Sequence, residues 1–282
     1  MKDVLDSLRL GALLAGLCAG APAVRADVPA EPVLPRWELG LAAGGGRVPD
    51  YPGADESHNR GIVVPIAVYR GRVLQVDDRG VRGRFVDTPD WEFALSATAA
   101  FNARNNTARE GMPELDYLFG IGPQWVYKGL AVRHGGPTLH LKFRALMSTD
   151  LRRIDSRGAS FDPEVRWRLR GIAGTPATLT LSLQPSWASR PLHRYFYQVD
   201  PALATPERPA YVARAGYVGT DATAQLSHRP RPGWSWFVTA GVTSLHGAAN
   251  AASPLLRSRA NLTVGAGVVW TPWRSSEDAG AQ

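Results

Sequence analysis

The chain has 282 residues, a formal net charge of +7 at pH 7 and one cysteine, Cys18. A single cysteine excludes an internal disulfide framework and the metal centres that need several thiolates. Glycine (29) and proline (22) are abundant, and the sequence has no helical 3.6-residue stripe of useful length. Composition and periodicity therefore favour an all-β chain.

Residues 1–26 have the layout of a secretory signal. A basic start precedes the short apolar run 10–19, and small residues follow up to Ala26. The run is too short to cross a bilayer as a helix. We expect cleavage after Ala26, with Ala23 as the alternative, which leaves a mature chain without cysteine and excludes thiol catalysis. The residue before Cys18 is not small, so we do not expect a lipoprotein.

The mature chain predicts one large domain between two short segments. Residues 27–35 are rich in proline and predict a periplasmic leader, 36–273 carry all the strand patterns, and 274–282 form a C-terminal extension. The positive charge suits contact with anionic lipopolysaccharide or cell-wall polymers. It would also suit nucleic acid, which a secreted chain rarely meets, so we expect no nucleic-acid partner.

Alternation of apolar and polar residues predicts about twelve strands. They fall at 37–43, 62–69, 73–77, 81–87, 91–101, 117–127, 139–148, 164–170, 178–187, 221–227, 234–242 and 261–270. Pro65 weakens the second of these, because proline in a central strand removes a ladder hydrogen bond.

The segment 91–101 has the clearest pattern. Its odd positions are all apolar and end in aromatics, Trp91 and Phe101, whereas its even positions include Glu92, Ser96 and Thr98. Successive side chains point to opposite faces of a strand. A tilted strand needs about 9–11 residues to cross a bilayer, so this segment is typical of a membrane-spanning strand. A half-buried strand of a soluble sandwich is the alternative.

The connections between predicted strands mostly alternate in length. The long ones are 44–60, 102–116, 149–160, 188–216 and 246–257; the tight ones are 70–72, 88–90, 171–176 and 229–233, with 128–137 somewhat longer. Outer-membrane barrels have short periplasmic turns and longer outside loops. Starting inside, the order of connections places every long loop outside and both termini in the periplasm.

The sequence therefore predicts a closed antiparallel transmembrane β-barrel of about twelve strands. Trp and Tyr at many strand ends favour this fold over a soluble sandwich, since amphipathic rings prefer the membrane interface. Closure is required in lipid, because each unpaired backbone group there costs several kcal/mol.

Several charged residues share the polar face of the predicted strands. They are Glu92, Lys142, Arg144, Glu164, Arg166 and Arg168. One interpretation is a basic-lined pore that favours anions. The other is a plugged lumen in which these charges pair with one another, because narrow barrels are filled by side chains.

The remaining polar groups give weaker signals. Ser227 and His228 are neighbours on a predicted strand and point to opposite faces, so they cannot pair as nucleophile and base. Ser57 and His58 lie in a loop without a defined orienting acid, and no nucleophile-elbow pattern occurs. We predict no catalytic residue and no enzyme activity.

Two loops hold the other candidate sites. The segment 193–197 (His-Arg-Tyr-Phe-Tyr) could bind a ligand or fold over the end of the barrel. Asp50, Asp55 and Glu56 could hold calcium, although a solvated loop is the simpler interpretation. The histidines show no metal spacing, so we predict no metal and no cofactor.

Several short motifs, in order, resemble one known family. They are 51–56 (Tyr-Pro-Gly-Ala-Asp-Glu), the strand with Pro65 that ends in Tyr69-Arg70-Gly71, 111–116 (Gly-Met-Pro-Glu-Leu-Asp), 121–123 (Ile-Gly-Pro) and 253–255 (Ser-Pro-Leu). With the signal sequence they resemble the MipA/OmpV family of MltA-interacting outer-membrane proteins. The resemblance covers essentially the whole mature chain.

The resemblance implies a non-enzymatic outer-membrane β-barrel of a Gram-negative bacterium. It implies a scaffold that links a lytic transglycosylase to a murein synthase, next to outer-membrane lipids and lipopolysaccharide. A small anion-preferring diffusion pore and a lipid-modifying outer-membrane enzyme are the alternatives. One departure concerns assembly: such barrels usually end at a terminal aromatic, whereas here Trp270 and Trp273 are followed by 274–282.

Overall fold

The structure is a computed structural model that describes residues 37–70, 74–77, 80–83 and 86–275. The predicted signal 1–26 and leader 27–35 lie outside the described residues, as does most of the predicted extension 274–282.

The described residues form thirteen strands. Ten are long: β1 (Trp37–Pro49), β2 (Ser57–Arg70), β6 (Trp91–Ala100), β7 (Tyr117–Tyr127), β8 (Thr138–Thr149), β9 (Ile154–Arg170), β10 (Thr178–Ala188), β11 (Gly216–Arg231), β12 (Trp234–Ser244) and β13 (Ala260–Arg274). Three are short: β3 (Leu74–Asp77), β4 (Gly80–Gly83) and β5 (Val86–Asp87). Two short α-helices, α1 (Gly129–His134) and α2 (Arg190–Tyr197), and three 3₁₀ turns (Thr107–Arg109, Ile172–Gly174 and Pro201–Leu203) lie between strands.

All strands belong to one antiparallel sheet, which confirms the all-β prediction. Its order is β4-β3-β2-β1-β13-β12-β11-β10-β9-β8-β7-β6-β5, so the first and last strands of the chain are neighbours. The described residues show no ladder joining the two edges, β4 and β5, although Cα atoms of β4 and β6 come within 8 Å. The strand pairing therefore does not by itself establish the predicted closure.

The two faces of the long strands have the reverse of the burial found in a soluble sheet. Along β8, the buried positions include His140, Lys142 and Arg144, whereas Leu141 and Phe143 between them are exposed. The same inversion occurs at the start of β6, where Glu92 is buried beside an exposed Trp91. The polar side chains thus line an interior, and the apolar side chains cover the outside.

Two predicted long loops are shorter than expected, because strands run into them. The loop predicted at 44–60 is reduced to 50–56: β1 continues through three glycines, which pair with β13 on one side and β2 on the other. A Cβ at Gly46 would lie 2.1 Å from the carbonyl oxygen of Val264, so only glycine allows this backbone approach. Likewise the loop predicted at 149–160 is reduced to 150–153, since β9 begins at Ile154.

Two further differences have local causes. The connection 128–137 contains α1, which ends at Gly135 in the left-handed conformation (φ 61°) that glycine adopts without strain. Pro65 is accommodated in β2 because it pairs with Leu41 of β1 on one side, whereas β3 pairs with β2 only at its end. The strand count exceeds the predicted twelve because the segment predicted as 81–87 contains both β4 and β5.

Among the described residues, no helix combines the length and the apolar character needed to span a membrane.

Candidate functional site

A layer of paired charges lies on the buried face of the sheet. We call it the charged layer: Ser96 on β6, Lys142 and Arg144 on β8, Asp162 and Glu164 on β9, and Gln184 on β10. Strict alternation brings these residues to one face, and the antiparallel β8–β9 ladder sets the two cations beside the two carboxylates.

Each cation of the charged layer has more than one partner. The ammonium of Lys142 contacts the carboxylate of Glu164 and donates to Oε1 of Gln184 at 2.7 Å. Arg144 donates to Oδ2 of Asp162 at 2.8 Å and, from two nitrogens, to the hydroxyl of Ser96 at 2.8 and 3.0 Å. The bonds to Ser96 and Gln184 pass over a neighbouring strand, so the layer joins β6, β8, β9 and β10.

The structure places four of the six predicted charged residues in the charged layer or in contact with it. Lys142, Arg144 and Glu164 belong to the charged layer, and Arg166 donates to both oxygens of Glu164, at 2.8 and 3.0 Å. Glu92 lies apart, with its carboxylate 3.9 Å from the ammonium of Lys128. Arg168 follows on the same face of β9, further toward the tight turn.

Cavities lie on both sides of the charged layer. The cavity toward the tight turns has a volume of about 730 Å³ and is lined by residues of β6 to β9 and of α1; we call it the short-turn cavity. The cavity toward the long loops has a volume of about 520 Å³ and is lined by residues of most long strands; we call it the long-loop cavity. Arg144 lines both cavities, so the charged layer forms the partition between them.

The long loops fold over the far side of the long-loop cavity and pack into a hydrophobic cluster. We call this assembly the loop cap: 50–56, 101–116, 189–215 and 245–259. Its buried members include Tyr51, Leu115, Phe196, Tyr197 and Leu256. The aromatic segment 193–197 therefore packs inside the cap as part of α2. This agrees with the interpretation in which the segment folds over the end of the barrel.

Buried polar contacts hold the loop cap together. His193 lies between the carbonyl of Gly216 (3.0 Å) and the side-chain amide of Asn250 (2.7 Å). Burial lowers the pKa of His193, which keeps the imidazole neutral. Tyr197 donates to the carbonyl of Pro52 at 2.8 Å, and burial raises the pKa of its phenol well above the usual range.

Two arginines satisfy carbonyls inside the loop cap. Arg109 donates to the carbonyls of Phe196 (3.0 Å) and Pro113 (3.1 Å). Arg208 donates to those of Ala108, Glu110 and Leu203 at 2.8 to 3.1 Å. Burial lowers the pKa of Arg109, but a guanidinium stays protonated in proteins. Both residues thus act as cross-links between loops.

The candidate calcium ligands are already occupied by protein donors. Asp50 accepts from Asn106 at 2.9 Å and from Arg60 at 3.3 Å and contacts His58 at 2.8 Å. Glu56 accepts from the backbone N–H of Thr107 at 2.9 Å. Ligand atoms of Asp50, Glu56 and His58 lie within 4.8 Å of one another, but the Arg60 guanidinium already supplies positive charge beside Asp50.

The two serine–histidine pairs do not form a catalytic pair in the structure. Ser227 donates to the carbonyl of Thr178 at 3.4 Å, and the ring of His228 lies against Trp236 with centroids 5.8 Å apart. Ser57 and His58 begin β2 rather than lying in the predicted loop, and His58 does contact an acid, Asp50, at 2.8 Å. Neither histidine is bonded to the neighbouring serine.

Asp162, Ser96 and Gln184 were not predicted as site residues. The strands of Ser96 and Gln184 were predicted, and their positions on the polar face follow from alternation, whereas Asp162 lies before the predicted strand 164–170. The long-range information that was lacking is the β8–β9 and β9–β10 register, which brings them beside Lys142 and Arg144.

Comparison with known proteins gives a family match and similarities to solved structures, one of which is described here. The sequence model of the family described as MltA-interacting protein MipA matches residues 41–272. No curated protein matches the chain. A crystal structure of an outer membrane channel from Pseudomonas putida F1 is 14% identical with a TM-score of 0.48, over 89% of this chain and 99% of that chain.

Proposed function

The chain belongs to the MipA family and is a protein of the Gram-negative outer membrane; from this premise we propose that it is a closed, non-enzymatic β-barrel that binds partner proteins in envelope maintenance. The printed family description, MltA-interacting protein, supports a lytic transglycosylase as one partner. The murein synthase and the lipopolysaccharide contact expected from the sequence are part of the same proposal.

The main observation in favour of a barrel is that the long strands bury charged side chains and expose apolar ones. Charged side chains such as Lys142 and Glu164 are 5% exposed, whereas the apolar Val238 and Leu262 are 51% and 61% exposed. In water this arrangement would expose a wide apolar surface and bury charges at a cost. In a bilayer the apolar face contacts lipid, and the sheet edges at β4 and β5 must meet so that their backbone groups are paired.

The charged layer and the loop cap favour partner binding over conduction. Lys142 and Arg144 extend over a neighbouring strand to Gln184 and Ser96, inside the sheet, and the long loops pack over the end of the long-loop cavity. Both features narrow the path that an ion would follow. The plugged-lumen interpretation of the predicted charged residues is therefore the one we adopt.

Affinity capture from envelope extracts tests the partner-binding proposal. Tagged full-length protein at native expression should enrich murein hydrolases and synthases over a tagged, unrelated outer-membrane barrel as control. Equal recovery on both barrels would overturn the proposal.

A small anion-preferring pore is the second candidate, favoured by one observation: six cationic residues line the short-turn cavity. Planar-bilayer recordings separate the two candidates. We expect no stepwise conductance from the native chain; anion-selective steps would replace the scaffold proposal with the pore.

A further inference from the structure

The short-turn cavity has a strongly one-sided charge. Its lining includes six cations and one carboxylate: Lys128, Lys142, Arg144, Arg166, Arg168, Arg170 and Glu92. The carboxylates of Asp162 and Glu164, behind the lining, bind Arg144, Lys142 and Arg166. Counting these two as well, the cations named here outnumber the carboxylates by six to three around one partly open cavity.

His140 provides a second, independent observation. It lines the short-turn cavity and is 7% exposed. Its Nε2 lies 2.9 Å from the hydroxyl of Thr138, which is 3.3 Å from the carbonyl of Arg166. Within the described part of the chain its Nδ1 has no hydrogen-bond partner. Because the hydroxyl of Thr138 donates to the carbonyl of Arg166, Nε2 carries the ring proton and Nδ1 is an acceptor. Buried polar atoms are rarely left unpaired in native proteins, so the O–H of a bound ligand is the natural partner of Nδ1.

We propose that the short-turn cavity is a binding site for a small oxyanion that carries two or more negative charges. Guanidinium groups recognise carboxylates and phosphates with paired, charge-assisted N–H donors. The volume of about 730 Å³ falls within the range of about 300–1,000 Å³ that is typical of small-molecule sites. Carboxylate and phosphate ligands share this chemistry.

The site lies on the tight-turn side of the charged layer. Lys128 precedes α1 and Arg170 ends β9, so both belong to the end of the sheet that carries the tight turns. That this end faces the periplasm rests on the proposed function, since short turns face the periplasm in outer-membrane barrels. The cavity and its charge do not depend on that orientation. The charged layer would prevent a ligand bound there from passing on to the long-loop cavity. Binding in the short-turn cavity therefore does not imply conduction through the barrel.

Titration calorimetry on the purified full-length protein in a zwitterionic detergent tests the proposal. The probes are pyrophosphate and citrate, with uncharged triethyl citrate as the matched control ligand. We expect saturable binding of at least one anion at low salt, weakening as salt is raised, and none of triethyl citrate. The stronger of the two anions identifies phosphate or carboxylate as the preferred chemistry.

The variant for this test is the double substitution Arg168→Gln/Arg170→Gln, and Arg229→Gln is the matched control. Arg229 is exposed near the tight-turn end of β11 and does not line the cavity. We expect the double variant to weaken binding at least tenfold and the control to bind as the native chain does.

Three results would overturn the site: no saturable binding of either anion to the native protein, equal binding of triethyl citrate, or the same affinity in the double variant. Gel migration before and after boiling verifies that each variant is folded, and the triethyl citrate comparison needs no variant. Affinity capture of partner proteins is a separate readout, so either proposal can fail while the other stands.

Discussion

Lys142 pairs with Glu164 rather than with Asp162, the residue directly opposite it in the β8–β9 register. Arg144 repeats the shift: it lies opposite Ser160 and binds Asp162. Both cations thus lean the same way along the sheet, and each diagonal pair lies within reach of long side chains on one face. The stagger leaves Lys142 free to reach Gln184 and Arg144 to reach Ser96, which is how the charged layer extends beyond two strands.

Removing the carboxylate of the Lys142–Glu164 pair should lower the free energy of unfolding. Glu164→Gln leaves a buried ammonium at Lys142 with Gln184 as its remaining partner, so we expect a loss of about 3–5 kcal/mol in the free energy of unfolding. The double variant Lys142→Met/Glu164→Gln should recover much of this loss, since no unpaired ammonium remains. Urea titration of the folded protein in lipid vesicles gives these values.

The exposed pair Arg104–Glu114, with side chains 61% and 55% exposed, is the matched control. We expect Arg104→Ala to cost about 0–1 kcal/mol. If Glu164→Gln lowered the free energy of unfolding as little as Arg104→Ala does, the ion pairs of the charged layer would not be buried as described above.

A charge on the apolar face should disturb insertion at a site that faces lipid. Leu141 lies in the middle of β8 on the exposed face, so we expect Leu141→Arg to cost about 2–4 kcal/mol in vesicles. Leu151→Arg is the control, because Leu151 is 79% exposed in the loop between β8 and β9; we expect an effect within about 0.5 kcal/mol. Equal tolerance at the two positions would argue against lipid contact at Leu141.

The hydrogen bonds of Asn250 should stabilise the closed loop cap. Its side chain binds His193, the backbone N–H and carbonyl of Arg214, and the hydroxyl of Tyr211, and the residue is fully buried. Asn250→Ala leaves these groups unpaired, each at a cost of about 1–3 kcal/mol. We expect faster cleavage of 198–215 in limited proteolysis, with the exposed Asn59→Ala cleaved at the native rate; unchanged cleavage in Asn250→Ala would count against this role.

The loop cap should open as the pH falls. Burial lowers the pKa of His193 below its ordinary value, so the open cap binds a proton at a pH where the closed cap does not. The stabilisation is complete above the ordinary histidine pKa of about 6.5 and declines as the pH falls below it.

Limited proteolysis between pH 8 and pH 5 follows this opening. The native chain should be cleaved progressively faster within 198–215 as the pH falls. His246→Gln, at an exposed histidine of the same cap, should keep the pH dependence. His193→Gln should lose it, and a profile unchanged by His193→Gln would contradict the assignment.

Much of the sheet could be predicted from the sequence because side-chain alternation is a local signal. The strand at Tyr117–Tyr127 was predicted with its observed bounds, and Glu92 lies on the buried face as expected. The glycine run in β1 could not be predicted as strand, since its reason is the close approach of β13, more than two hundred residues away in the chain.

The site was predictable as a set of residues and not as a network. Alternation places Lys142 and Glu164 on one face, but the diagonal pairing depends on the register between β8 and β9. Asp162 is followed by Pro163, and the alternating pattern begins only at Glu164, so alternation alone assigns the carboxylate of Asp162 to no face. The contact between His193 and Asn250 joins two loops 57 positions apart, which no local pattern encodes.

Gel migration of the outer-membrane fraction before and after boiling tests most directly that the sheet closes on itself in the outer membrane. A closed barrel resists the denaturing detergent, so the unboiled chain should run as a separate band that shifts to the position of the unfolded chain on boiling. A single band at the same position in both samples, or recovery of the protein in the soluble fraction without detergent, would contradict the account.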